Sequence, residues 1–205
     1  MKRSLTAVCL AAVMASAAFA EPISREVGEF RAIEIQDGVR LDISIAAAQA
    51  VSVVAVDGDP NKLLIREFLP WIVFNRDMRW FIFPKWRDDV LQVSVETPVL
   101  NGLKAFEGAQ ATFSGDADER LWIETGTGGV ITLSDIAVEE LTLVARGGGT
   151  IVASGTCEQL TIRNQGFSVD ASGLQCDSIV VNGDDTNISL PAGATVVAEH
   201  PEITG

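Results

Sequence analysis

From Leu103 onward, apolar residues alternate with polar ones in short bursts, and the bursts themselves recur. Segments opening at Leu103, Leu121, Leu141, Leu160 and Ile179 are spaced by 18, 20, 19 and 19 residues. Each opens with an alternating pair, Leu121/Ile123, Leu141/Leu143, Leu160/Ile162 or Ile179/Val181. Small residues follow, and then a second burst marked by Phe113, Ile131/Leu133, Ile151/Ala153, Val169/Ala171 and Ile188/Leu190. Period-two alternation over four or five residues predicts strands with one buried face. Repetition at about nineteen residues predicts coils whose like strands stack in parallel, an all-β, right-handed parallel β-helix-like solenoid. A β-sandwich of hairpins competes, but hairpins of a meander need not match position by position, whereas stacked coils must.

The half from Glu21 to Pro98 is β-rich but irregular. Strands are predicted at Phe30 to Ile35, Val39 to Ile45, Val51 to Val56 and Val90 to Val95, with Asp37-Gly38 as a tight turn between the first two. They would cap or extend the solenoid. Between them, Leu63 to Trp86 holds Trp71, Trp80 and Trp86 with Phe68, Phe74, Phe81 and Phe83, and Asn75 to Met78 has the look of a hairpin turn. Two readings stand: these aromatics pack over one end of the core, or part of them forms an exposed platform. Arg76, Arg79, Lys85 and Arg87 gather positive charge in the same stretch, which supports the platform.

The first twenty residues change the picture of the compartment. Lys2 and Arg3 precede an apolar run that ends in Ala18-Phe19-Ala20, the pattern of a signal peptide cleaved after Ala20. Residues 21–205 then form one domain, exported to the periplasm or the cell surface, without a transmembrane anchor. The full chain carries 15 basic and 28 acidic residues, net −13. Loss of Lys2 and Arg3 leaves 13 basic residues and a net charge of −15. Nucleic acid is therefore not an expected partner, since polyanions are repelled at long range.

Two cysteines remain, Cys157 and Cys176, each the eighteenth residue of its coil counted from Glu140 and Gln159. Equivalent sites on adjacent parallel strands lie about 4.8 Å apart, within disulfide range. Val138 holds the same site one coil earlier, so the position faces inward. A coil-to-coil disulfide is the favoured expectation, and a reduced stacked pair is the alternative.

Chemistry is harder to find. Gly147-Gly148-Gly149 lacks the Lys-Ser/Thr pair and helix of a phosphate loop; it aligns with Thr127-Gly128-Gly129 and roughly with Gly166, and so marks a recurrent corner. His200, the one histidine, lies in a polar tail with no nucleophile elbow nearby. Asp170, Asp184 and Asp185 are candidates for acid–base work or calcium ligation, but no matching acids stand in neighbouring coils. No catalytic, metal-binding or cofactor-binding residue is assigned.

The stretches GEFRAIEIQDGVRLDISI, VDGDPNKLL, VSVETPVLNGLKAFEGAQATFSG and LTLVARGGGTIVASG together resemble the putative auto-transporter adhesin head GIN domain family, over roughly Phe30 to Val197. The resemblance implies an exported envelope protein with a right-handed parallel β-helix-like fold, and it brings no catalytic residues. The expected function is non-enzymatic binding of a glycan or an envelope protein partner, with Trp71, Arg76, Arg79, Trp80 and Trp86 as candidate contacts. A small carbohydrate-active enzyme on a β-helix, or a purely structural periplasmic domain, is the alternative.

Overall fold

The computed structural model describes residues 22–57, 59–77, 90–117, 119–194 and 196–198. The expected signal segment and its cut site, Arg79, Trp80, Trp86 and His200 lie outside the described residues.

The described residues form one sheet of fifteen strands curled into a β-solenoid. In chain order these are β1 (Ile23–Arg25), β2 (Ala32–Ile35), β3 (Arg40–Ile45), β4 (Ala50–Asp57), β5 (Leu63–Phe68), β6 (Trp71–Arg76), β7 (Val90–Thr97) and β8 (Gly102–Ala105). They continue as β9 (Gln110–Asp116), β10 (Arg120–Thr125), β11 (Val130–Ala145), β12 (Thr150–Gln165), β13 (Ser168–Asp184), β14 (Ile188–Ser189) and β15 (Val196–Ala198). One 3₁₀ turn, Pro60–Lys62, starts where the Asp59 carboxylate accepts from the Asn61 N–H.

Two parallel ladders make opposite walls. The first runs β6, β2, β8, β10, then the later halves of β11, β12 and β13. The second runs β7, β3, β9, then the earlier halves of β11, β12 and β13. Between the walls, like side chains stack in columns, because the repeat returns the same residue class to the same site. One column of the first ladder is Ile72, Ile33, Leu103, Ile123, Leu143, Ile162 and Val181, all buried. Burial of each such side chain is worth about 1.5–3 kcal/mol, so the columns supply the main force holding the coils in register.

The corners stack as well. Asp37, Glu107, Thr127 and Gly147 have φ of 57, 55, 50 and 58°, and each is followed by a glycine with φ between 71 and 84°. Two successive left-handed residues make the tight turn, and glycine takes the second place without strain. Neighbouring corners are tied by backbone bonds from Gly38 N–H to the Glu107 carbonyl, Gly108 to Thr127, and Gly128 to Gly147, at 3.1, 3.1 and 3.2 Å.

The irregular half both extends and caps the solenoid. Asp37-Gly38 is the tight turn expected between the first two strands, and it serves as a coil corner, since β2 and β3 lie on different ladders. The coil of β2 and β3 sits between the coil of β6 and β7 and that of β8 and β9, so spatial order departs from chain order. The step Glu96 to Leu100 makes this possible. Thr97 and Leu100 are fully buried there, the Thr97 hydroxyl donates to the Val99 carbonyl, and Asn101 N–H then bonds Arg31 O across the bypassed coil. Beyond β6 and β7 the parallel order ends. β5 pairs antiparallel with β6, β4 with β7, and β1 with β4, which covers strand edges that would otherwise be open templates.

Two finer expectations are corrected. Leu103 lies opposite Ile123, not Leu121, because the chain enters this coil from the step rather than from a preceding coil. The aromatic stretch has a hairpin turn at Leu69-Pro70, across a cis peptide, between β5 and β6; of the turn expected at Asn75 to Met78, Asn75 and Arg76 belong to β6 and Met78 lies outside the described residues. Proline has no N–H to give a ladder, which suits it to the turn.

Candidate functional site

The outer face of the first ladder carries the features that a solubilising surface does not require. Alternation turns every second residue outward, so Trp71, Ala32, Gly102 and Trp122 fall in one outward column. The Trp71 ring folds down over the two small residues: a Cβ at Gly102 would stand 3.0 Å from Trp71 Cη2 and 3.2 Å from Ala32 Cβ. In the next outward column Val73, Glu34, Lys104, Glu124, Val144 and Arg163 follow one another.

Glu124 is only 3% exposed although it points outward, because its neighbours close over it. Oε2 lies 3.5 Å from Lys104 Nζ and accepts from Trp122 Nε1 at 3.3 Å, while Oε1 pairs with the Arg146 guanidinium. Lys104 Nζ also sits 4.4 Å from the centroid of the Trp71 ring, and Arg163 Cζ lies 5.6 Å from that of Trp122. One buried carboxylate thus ties together cations and an indole from three coils. Cations over aromatic faces add about 0.5–1 kcal/mol each where water still reaches them.

Two shallow hollows flank this network. One of about 330 Å³ is bordered by Trp71, Lys104, Arg66, Phe68 and Glu34. The other, about 450 Å³, is bordered by Trp122, Arg146, Arg163, Gln165 and Asn182. Both fall within the size range of ligand sites. Arg66, Lys104, Arg146 and Arg163 line them against the single carboxylate of Glu34 among the described residues, on a chain of net charge −13.

The residues singled out from sequence are dispersed. Trp71 lies on this face, half-buried, and Arg76 ends the same strand. Phe74, from the same aromatic stretch, is fully buried, whereas Phe68 is 62% exposed, so the stretch divides between core and surface. Cys157 and Cys176 sit opposite each other on β12 and β13 and form a disulfide, with Cα atoms 4.5 Å apart. Cys157 is buried, but Cys176 is half-buried, so the bridge reaches the surface of the solenoid rather than lying wholly within it.

Asp170 lies opposite Val152 on the second ladder, Asp184 opposite Gln165 on the first, and Asp185 in the turn beyond. Asp170 Oδ1 accepts from the hydroxyl and N–H of Ser172, and Asp184 Oδ1 accepts likewise from Thr186. These hydroxyl and N–H bonds hold both carboxyls below the usual carboxylate range, the reverse of what a general acid needs. Among the described residues the acid moved upward is Glu107, raised first by its hydrogen bond with Asp37 and further by burial and by the Asp37 charge. Among the described residues no three His, Cys, Asp or Glu side chains gather as a metal site, and no helix is long and apolar enough to cross a membrane.

Sequence reasoning passed over Trp122, Lys104, Glu124, Arg146 and Arg163. A signal was present: Trp122 stands between inward Leu121 and Ile123, so alternation alone turns a large aromatic outward. Arg146 stands just before the glycine corner, where no alternation marks which way its side chain turns.

Residues 29–185 match the family described as putative auto-transporter adhesin, head GIN domain. No curated protein matches the sequence. Among solved structures, the chain is similar to a putative adhesin from Bacteroides fragilis, with a TM-score of 0.65 at 14% identity over 87% of this chain and 95% of that one. It is also similar to a putative lipid binding protein from Parabacteroides distasonis, TM-score 0.56 at 12% identity over 88% and 96% of the two chains. A putative adhesin from the same organism matches with a TM-score of 0.52 at 9% identity over 87% and 94%. At such identities the likeness is one of fold.

Proposed function

The chain belongs to the putative auto-transporter adhesin head GIN domain family, and from that premise we propose that it is an exported, non-enzymatic, adhesin-like module of the cell envelope that binds glycan chains through the outer face of the first ladder. Residues 21–205 act as one domain after removal of the signal segment, in the periplasm or at the cell surface. The observation that carries the reading is the column holding Trp71 and Trp122, each tryptophan beside its own hollow. Three strand spacings separate them, about 14 Å along the stack, so a chain rather than a single sugar is needed to touch both.

The chemistry of the face suits a glycan. A sugar ring has an apolar face that can lie on an indole, and hydroxyls that amides such as Gln165 and Asn182 can bond. The names of the structural relatives include adhesins, which agrees with a binding role. Catalysis has less support, since Asp170 and Asp184 lie on different ladders and are both engaged by neighbouring hydroxyls.

The test is retention of cell-envelope polysaccharides, and of envelope proteins in parallel, by immobilised wild-type chain and by the Trp71→Ala, Trp122→Ala and Trp122→Phe variants. Loss of polysaccharide retention in both alanine variants, with partial recovery in Trp122→Phe, is expected. Retention that survives both alanine substitutions, or retention of envelope proteins alone, would sink the reading.

A further inference from the structure

The hollow beside Trp122 differs from the one beside Trp71 in how its cations are held. Arg146 is held by buried Glu124, yet half of its side chain remains exposed, so it is anchored and still open to a ligand. Arg163, on the adjacent strand β12, has no carboxylate partner among the described residues and stands over the Trp122 ring instead. Gln165 and Asn182 complete the border with neutral amides. On a protein of net charge −13, a hollow lined by an indole and two guanidiniums, with no carboxylate among its described lining residues, is a local reversal of charge. Solubility does not call for it, and a neutral ligand would not exploit it.

We propose that this hollow is a subsite for a carboxylate-bearing sugar of an acidic polysaccharide. Arg163, which is exposed, swings off the Trp122 ring to meet the sugar's carboxylate, so that the indole takes the sugar's apolar face and Arg146 a second oxygen. The inference rests on the glycan-binding reading and narrows it to uronate-containing chains. A guanidinium presents paired N–H donors that match a carboxylate's two oxygens, which a lysine at the same site would not do. Glu124 is a positioning residue: it has no contact with Arg163, and it fixes Arg146 before the ligand arrives, so less ordering remains to be done on binding. The same contact explains why a carboxylate with so little exposure stands on an outward face.

The experiment compares a panel of uronate-containing polysaccharides with the carboxyl-reduced form of each, and with phosphatidylglycerol vesicles, against wild type, Arg163→Gln, Arg146→Gln and Trp122→Ala. A charge-assisted bidentate contact predicts that wild type prefers the acidic form by about tenfold or more, and that the preference weakens as salt is raised. Arg163→Gln should abolish the preference, with affinity for the acidic form falling about tenfold further than affinity for the reduced form. Because Arg163 is exposed, this variant should also keep the wild-type melting temperature, which checks that the fold is intact. Equal binding of acidic and reduced forms, or equal loss of both in Arg163→Gln, would overturn the proposal and leave the glycan reading standing. Failure to bind any polysaccharide, or binding to the vesicles alone, would overturn both.

Discussion

Lys104 stands over the ring of Trp71, its Nζ 4.4 Å from the ring centroid, although the two residues arrive on strands separated by β2. The ring reaches across the inserted coil of β2 and β3 because that coil presents only Ala32 beneath it. Pairing of β8 with β10 sets the same ammonium 3.5 Å from Glu124, so the tryptophan of one hollow is connected through a single buried carboxylate to the tryptophan of the other.

That carboxylate has two cationic partners, and the response to their removal should be unequal. Lys104→Met or Arg146→Met alone should cost less than about 1 kcal/mol, since these side chains are 26% and 50% exposed and Glu124 keeps the other partner. The double variant leaves a nearly buried carboxylate without a cation and should cost about 3 kcal/mol or more. Urea unfolding of the four proteins tests this; a double variant equal to the sum of the singles would contradict it.

The corner at Thr127 to Gly129 offers a contrast between two adjacent glycines. Gly128 has φ 76° and open space where a Cβ would stand, whereas a Cβ at Gly129 would lie 2.1 Å from the Ala105 carbonyl oxygen of the coil below. Gly128→Asn should therefore cost under about 1 kcal/mol, because asparagine tolerates the left-handed region. Gly129→Ala should cost over about 3 kcal/mol or prevent folding, because backbone must move. Thermal melts that rank the two the other way would refute the stacked-corner account.

Acid should favour the corner formed by Asp37 and Glu107. The Glu107 carboxyl is raised by its hydrogen bond to Asp37, with burial and the Asp37 charge adding to the effect. A carboxyl raised in the folded state contributes stability that is fully present below the ordinary glutamate range and is lost as pH rises through the raised value. Asp37→Asn removes the neighbouring charge, so its melting temperature should exceed that of wild type at neutral pH, and the gain should shrink below the ordinary carboxylate range. A gain that is the same at both pH values would mean that the turn preference of Asn-Gly, not the charge, is responsible.

Cys157 and Cys176 enclose a loop with a sequence separation of 19. Closing a loop of that length stabilises by ~3 kcal/mol on the chain-entropy account. Under denaturing conditions the oxidised chain should show no reactive thiol from this pair, and the double serine variant should unfold at correspondingly lower urea. Two titratable thiols in unreduced protein would count against the bridge.

Much of the fold was legible from Leu121 onward. There each coil follows the last without interruption, so register could be read as simple periodicity, down to the facing of Cys157 by Cys176 and of Gly147 by Thr127. Legibility failed at Leu103, where the chain enters from the step at Glu96 to Leu100, and at the place of the β2–β3 coil in the stack, which the Asp37-Gly38 turn leaves open. Of the candidate site, Trp71 was visible as part of an aromatic cluster. Trp122 was visible only as an outward alternation, and nothing local connected it with Lys104, Arg146 and Arg163.

By itself the sequence determined the strand period, the coil length, the glycine corners and the inward columns, because these follow from local sterics and from burial that repeats with the chain. Only the tertiary structure decided that β2 and β3 lie between later coils, and that Glu124 binds cations from the coils on either side. Those relations depend on which coil stacks on which, a property of long-range packing that a repeat in the sequence leaves open wherever the chain departs from its own order.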